Sequence, residues 1–355
     1  MNINDLSLPA IRPRGRGAAG NTEMRFSALQ MEYDPGEEPE KIATKFYHDD
    51  SQSIITHHNS PDLGFSASLN PYRGCEHGCA YCYARPTHEY LGFSAGVDFE
   101  TRIMVKEKAP DLLRAELLRP KYVPALMAMS GITDCYQPVE RRLEITRGCL
   151  KVLVECRHPV SLITKNYLIT RDVDLLAELA RYNACAACLS ITSLDADLAR
   201  KLEPRAASPR QRLEAVRVLS EAGVPVSVNI APIIPGLNDS EVPAIMAAAR
   251  DAGAVSAGYT VVRLPFSVKE VFALWLEEHF PLMKDKVLGR IEETQGRTLS
   301  HGEFGKRLHG VGVWADQIAQ IFEVSKKRVK MPETRRQLTA EHFRRPAVGG
   351  QMELF

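Results

Sequence analysis

Arg73-Gly74-Cys75-Glu76-His77-Gly78-Cys79-Ala80-Tyr81-Cys82-Tyr83 sets three cysteines in the spacing C-x3-C-x2-C, with a tyrosine on each side of the last. Thiolates are soft ligands, and a cysteine-rich loop in a chain without secretory features points to iron–sulfur or zinc binding. Three ligands are more informative than four. A [4Fe–4S] cube held by three protein thiolates leaves one iron open to an exogenous ligand, much as a catalytic zinc keeps an open position. A zinc knuckle completed by His77 or His88, or three buried thiols, are the plainer alternatives. Zinc sites usually pair C-x2-C with a second ligand pair downstream, and this loop opens on C-x3-C.

Around this loop the chain alternates strand and helix signals, which predicts a parallel α/β domain. Phe65–Leu69 reads as a strand running into the cysteines, and Tyr122–Met129 as the next. Val139, Leu143, Leu150, Leu153 and Val154 mark a helical face. Strands follow at Val160–Ile163, Cys188–Ile191, Val224–Ile234 and Val255–Val262. Helical stripes lie between them at Val173, Leu176 and Leu179, at Leu213, Val216 and Leu219, and from about Asp239. Six strand–helix units fall short of the roughly 250 residues of a closed eight-unit barrel. The expected architecture is therefore a partial, open (β/α)6 barrel over residues 65–265. An irregular extension over 1–64, a helical region over 266–330 and a basic flexible tail over 331–355 complete the expected domains. The run Arg12-Pro13-Arg14-Gly15-Arg16-Gly17 reads as a solvated arm.

The 355 residues are 45% hydrophobic and 25% charged, the composition of an ordinary globular protein. A net charge of +1 identifies no partner. There is no apolar run of 18 residues and no basic-then-apolar start, so no membrane span is expected and a cytoplasmic location is. Eight cysteines in such a chain argue for thiols and metal ligands rather than disulfides.

Chemistry in parallel barrels sits at the C-terminal ends of the strands. Thr133 and Asp134, Lys165 and Asn166, Ser190 and Thr192, Asn229, Tyr259 and Arg263 all fall there on this reading.

The cysteine loop, with Tyr81 before the third cysteine, resembles the signature loop of the radical S-adenosylmethionine (SAM) enzymes. Over about Asn70–Pro265 the chain further resembles the spore photoproduct lyase branch, which includes DNA-repair enzymes. The residues that carry this are Ile163-Thr164-Lys165, Leu189-Ser190-Ile191-Thr192, Leu202-Glu203-Pro204, Ser208-Pro209, Arg212-Leu213-Glu214-Ala215 and Ala231-Pro232-Ile233; within that branch Thr133–Glu140 resembles the members that carry Thr-Asp-x-Tyr-Gln-Pro-x-Glu. The resemblance implies that Cys75, Cys79 and Cys82 hold a [4Fe–4S] cluster whose open iron chelates SAM. Reductive cleavage of SAM would then yield methionine and a 5′-deoxyadenosyl radical that abstracts hydrogen from a substrate. It further implies SAM contacts from Asp134, Lys165 and Ser190, and a place for Tyr81 near the adenine. Thr133, Thr192 and Asn229 join the candidate SAM site as strand-end polar groups.

One departure stands out. The lyase carries a hydrogen-donating cysteine just upstream of the strand-two motif, where this chain has Ser130-Gly131-Ile132. Cys135 is the candidate replacement, against a plain buried thiol. The expected substrate is a nucleic-acid lesion. A peptide or small metabolite, or an adaptor with a structural cluster, are the alternatives. Cys185 and Cys188 give a C-x2-C that reads as a strand start rather than a second cluster. Expected partners are a flavodoxin, ferredoxin or reductase as electron donor, nucleic acid through basic residues from Lys326 to Arg345, and the bacterial sliding clamp. The last rests on Gln351–Phe355, which resembles a Gln-x-x-Leu-Phe clamp-docking peptide; docking on the chain's own core is the alternative.

Overall fold

Six parallel strands, each followed by helical cover, carry the site. The structure is a computed structural model and describes residues 13–26, 42–300, 302–332 and 337–347; Gln351–Phe355 lie outside the described residues. The strands are β1 (Lys45–His48), β2 (Ile55–His57), β3 (Ala67–Leu69), β4 (Tyr72–Arg73), β5 (Arg102–Val105), β6 (Met127–Met129), β7 (Val160–Thr164), β8 (Cys185–Ser190), β9 (Val226–Ile233) and β10 (Ser256–Val261). The main sheet runs β10-β9-β8-β7-β6-β3-β2, with only β2 antiparallel. Among the described residues β10 does not pair with β2, so the barrel stays open. A small sheet, β1-β5-β4, lies beside it and feeds the cysteine loop from β4.

The helices are α1 (Asp98–Thr101), α2 (Ala109–Leu118), α3 (Glu140–Leu143), α4 (Ile145–Cys156), α5 (Val173–Arg181), α6 (Ala196–Leu202), α7 (Pro209–Glu221), α8 (Val242–Asp251), α9 (Val268–His279), α10 (Lys284–Thr294) and α11 (Gly312–Arg328). Local chemistry sets their starts. Asp195 accepts from the amides of Asp197 and Leu198 at the head of α6. Ser208 and Gln211 form a reciprocal capping box on α7, with Pro209 in its first turn.

Strand periodicity sorts the two faces of the sheet. Met127, Met129, Val160, Leu162, Ala187, Leu189, Val226, Val228 and Ile230 pack into the main core beneath the helices. The alternate positions (Ala128, Ser161, Ile163, Ala186, Cys188, Ser190, Ser227, Asn229 and Gly258) face the other way and, apart from Ile163, form a concave lining of small and polar residues. A second core joins α9 and α10, through Phe272, Trp275, Leu276, Leu288 and Ile291, to α6 and to Cys79, Ala80 and Tyr81. The helical C-terminal region therefore backs the cysteine loop.

Several expectations change in detail. The second strand begins at Met127, not Tyr122, because Pro124 has no amide for the ladder. The expected single helix after it divides at Glu144, whose φ is +51°, into α3 and α4. The extension is not wholly irregular, since it supplies β1 and β2. The expected solvated arm is solvated only in part: Arg14 and Gly15 are exposed, whereas Arg16 is half-buried and Gly17 is buried. Residues 337–347 of the expected flexible tail pack as a strap. Phe343 rests on Tyr122 and His158, Arg344 donates to the Glu155 carbonyl at 2.7 Å, and Arg345 to the Leu117 carbonyl at 3.1 Å.

Candidate active site

The loop after β4 is fixed by contacts with three other segments. The Cys75 amide donates to the Phe99 carbonyl at 2.9 Å and the Ala80 amide to the Leu202 carbonyl at 3.0 Å. The Arg85 side chain donates to the Cys79 carbonyl at 2.9 Å. Gly74 and Gly78 sit at φ of +79° and +68°, a region open to glycine at little cost. A side chain at Gly78 would also meet a Glu100 carboxylate oxygen at 2.7 Å.

Cys75 and Cys79 are buried and Cys82 partly so; none is in a disulfide. Burial, reinforced by the Asp134 charge, pushes the Cys75 thiol up. Burial and Glu203 push Cys79 up to about 12. These thiols keep their protons until a metal replaces them. Among the described residues no three His, Cys, Asp or Glu side chains converge on one point as a single metal ion requires. A cube bonds each cysteine to a different iron and needs thiols spread around it. The candidate zinc ligands are otherwise engaged. His77 faces Asp134 (Nδ1, 3.4 Å) and Asn166 (Nε2, 3.2 Å), while His88 bonds the Arg102 carbonyl at 2.9 Å and packs on Phe93 and Phe99. The donor set fits a [4Fe–4S] cluster.

Around the loop the strand ends bring together most of the expected residues. Lys165, just past β7, has its ammonium 6.0 Å from the Tyr81 ring centroid. Burial disfavours that charge, but the Cys79 thiolate, once a metal has replaced its proton, and the Glu203 carboxylate outweigh it and hold the lysine cationic. Ser190 and Asn229 lie in register on β8 and β9, and Gly258 opposite Asn229 leaves the cleft open there. A cation and small polar groups beside the cysteine loop suit the carboxylate, ammonium and ribose of SAM.

Thr133 and Asp134 are more committed to the protein. Thr133 donates to the Gly74 carbonyl at 2.6 Å. Asp134 accepts from Thr164 at 2.7 Å and from the Tyr136 and Lys165 amides at 2.9 Å each. Burial opposes its ionisation, yet His77 and these hydrogen bonds prevail and hold its pKa at about 2.

Tyr81 and Thr192 belong to a buried network. Both hydroxyls donate to Glu203, whose other oxygen pairs with Arg212. Arg212 also holds the Ser190 carbonyl at 3.1 Å. Glu203 and Arg212 were visible in the sequence only as parts of motifs, and burial gives them their role: they fix the wall behind Tyr81.

The structure does not bring Cys135 into the cleft. It is fully buried in the main core, its thiol 3.9 Å from the Met129 carbonyl, and burial raises its pKa strongly. Cys185 and Cys188, three apart on β8, point to opposite faces and share no ligand. Tyr259 packs on Phe322 and His309, away from the loop.

Arg263 does reach the loop, its guanidinium 4.8 Å from the centroid of the exposed Tyr83 ring. Burial and the neighbouring Arg307 lower its pKa, and among the described residues it makes no ion pair. Arg307 lies 4.6 Å from the exposed Phe304 ring.

The basic C-terminal residues are elsewhere. Pro332, just past the Lys326–Lys330 run, lines a hollow with Val224, Pro225 and Val255, at the N-terminal ends of β9 and β10. Arg344 and Arg345 bond carbonyls at that same end. This face lies opposite the cysteine loop.

A family model described as the radical SAM superfamily matches residues 69–249. An uncharacterized protein of Mycobacterium tuberculosis is 36% identical over 225 residues, 63% of this chain and 66% of that protein. Another, from Methanocaldococcus jannaschii, is 32% identical over 173 residues, 49% of this chain and 62% of that protein. The chain thus matches slightly less than two thirds of these relatives' length. Among solved structures, spore photoproduct lyase complexed with dinucleoside spore photoproduct aligns over 84% of both chains, with a TM-score of 0.57 and 17% identity. A mutant of that lyase with bound AdoMet and dinucleoside spore photoproduct aligns over the same share, at 0.55 and 19%. These likenesses show a common fold.

Proposed function

We propose a nucleic-acid substrate for this chain, which belongs to the radical SAM superfamily and shares the fold of spore photoproduct lyase. Like its superfamily, it is an enzyme that uses a [4Fe–4S] cluster and SAM. When bound and reduced, this pair supplies a 5′-deoxyadenosyl radical for hydrogen abstraction.

The chain's own residues set the geometry. Cys75, Cys79 and Cys82 would hold the cluster. Lys165 presents a permanent cation to the SAM carboxylate, while Ser190 and Asn229 offer hydrogen-bonding groups from the sheet. The Glu203–Arg212 pair holds Tyr81 as a rigid wall, and the helices behind it exclude water.

The observation that carries the substrate class is the patch beside Cys82. Two exposed rings, Tyr83 and Phe304, each bear a guanidinium: Arg263, which makes no ion pair among the described residues, and Arg307, which Asp62 and Ser60 already hold. Aromatic faces interleaved with arginine accept stacked bases and phosphate together. The shared fold supports repair of a lesion. Burial of Cys135 argues that hydrogen return, if this is a lesion lyase, uses a group other than that thiol. The test is anaerobic reconstitution with a chemical reductant and SAM, followed by product analysis on irradiated DNA, undamaged DNA and a peptide library. Repair of irradiated DNA alone supports the reading. Turnover of a peptide with no DNA product overturns it.

The reductant belongs in this proposal as a flavodoxin, ferredoxin or reductase, by the needs of the chemistry. The sliding clamp enters as a partner through the Gln-x-x-Leu-Phe pattern of Gln351–Phe355.

A further inference from the structure

We infer that the N-terminal segment Arg16–Gly20 is a clamp that holds the cluster loop in its ligating shape. Gly17 lies directly against the loop: a Cβ there would fall 1.5 Å from the carbonyl oxygen of Gly78, between Cys75 and Cys79. No side chain fits in that space, so the segment comes this close to the loop only because residue 17 is glycine.

Glu100 fastens the contact. Its carboxylate accepts from the Gly17 amide at 3.1 Å and the Ala18 amide at 2.9 Å. The same group pairs with Arg85 at 2.5 Å, and Arg85 holds the Cys79 carbonyl at 2.9 Å. Glu100 and Arg85 are fully buried. A single buried carboxylate therefore links the N-terminal segment to the backbone of a cluster cysteine through charge-assisted hydrogen bonds. A second glycine contact closes the other end, where a Cβ on Gly96 would fall 2.2 Å from the Gly20 carbonyl oxygen. Arg16 anchors the segment on both sides, donating to the Ile42 carbonyl at 2.6 Å, to Thr44 at 3.3 Å and to the Glu100 carbonyl at 3.3 Å.

The clamp has a chemical consequence. A loop carrying three thiols must keep its shape while iron is loaded, and must exclude water and oxygen afterwards. Gly17 and Glu100 are positioning residues that act through Gly78 and, by way of Arg85, the Cys79 carbonyl.

The test uses the full chain with Gly17→Ala, and with Gly64→Ala as the control, since a Cβ at Gly64 meets nothing within 4 Å. Wild type and Gly64→Ala should load about four irons per chain, the content of one [4Fe–4S] cluster. Gly17→Ala should load less than half as much. Its remaining cluster should lose the change in electron paramagnetic resonance on adding SAM, and amides of residues 78–82 should exchange hydrogen at least tenfold faster. Should Gly17→Ala fail to fold, Arg16→Ala keeps both glycine contacts and removes the Arg16 bonds to Ile42, Thr44 and the Glu100 carbonyl. It must then show faster loop exchange and a shorter cluster lifetime in air. Iron content, resonance spectrum and loop exchange all at wild-type values in both variants would overturn the clamp.

Discussion

His77 Nδ1 lies 3.4 Å from Asp134 Oδ2, which ties the middle of the cysteine loop to the segment that follows β6. The second ring nitrogen of His77 reaches Asn166, just past β7, so one side chain spans two strand ends. Asp134 is held ionised by this contact and by hydrogen bonds from Thr164 and the Lys165 amide.

The depressed Asp134 pKa gives a signed pH dependence. A carboxyl lowered from 3.8 to about 2 stabilises the fold fully above about pH 4 and loses that contribution as pH falls from 4 through 2. The shift corresponds to about 2 kcal/mol. Urea unfolding of apoprotein should show Asp134→Asn less stable than wild type by about that much at pH 7. The gap should narrow as pH falls below 4. A gap that is constant down to pH 2 would show that the charge is not responsible.

Replacing Cys75, Cys79 or Cys82 by Ala should abolish the cluster, measured as iron and sulfide per chain. Cys149→Ala, Cys156→Ala and Cys185→Ala remove core thiols and should retain about four irons. Loss of iron from any of these three, without unfolding, would place a ligand outside the loop.

Lys165→Ala should weaken SAM binding by roughly tenfold to a hundredfold, the usual worth of a hydrogen bond to a charged group. Calorimetric titration under nitrogen measures this, with circular dichroism as the check on fold. Unchanged affinity in a folded variant removes Lys165 from the SAM site.

Glu203→Ala leaves Arg212 buried without its counter-ion and frees the Tyr81 and Thr192 hydroxyls. Breaking such a pair costs about 3–5 kcal/mol. Denaturant unfolding should register it, and a cost below about 1 kcal/mol would make the network ornamental.

Arg263→Ala should weaken DNA binding across sequences and reduce the slope of log affinity against log salt by about 1. Changes at Lys326 or Lys327, on the opposite face, should leave the product yield from damaged DNA unaltered. The reverse pattern would move the nucleic-acid path to the other end of the barrel.

The cysteine spacing, the strand–helix alternation and the strand-end polar residues were legible because each rests on local pattern: ligand spacing, period two and period 3.6. Those patterns settled the loop, the six parallel strands and the placement of Lys165, Ser190 and Asn229. They left open what depends on residues far apart in the chain. Only tertiary packing joined Gly17 to Gly78 and Glu100, paired Glu203 with Arg212 behind Tyr81, buried Cys135 in the core and set the basic C-terminal residues at the far end of the barrel. A glycine or an arginine has the same local signature whether it is solvated or buried. Its partner decides which, and that partner lies tens of residues away.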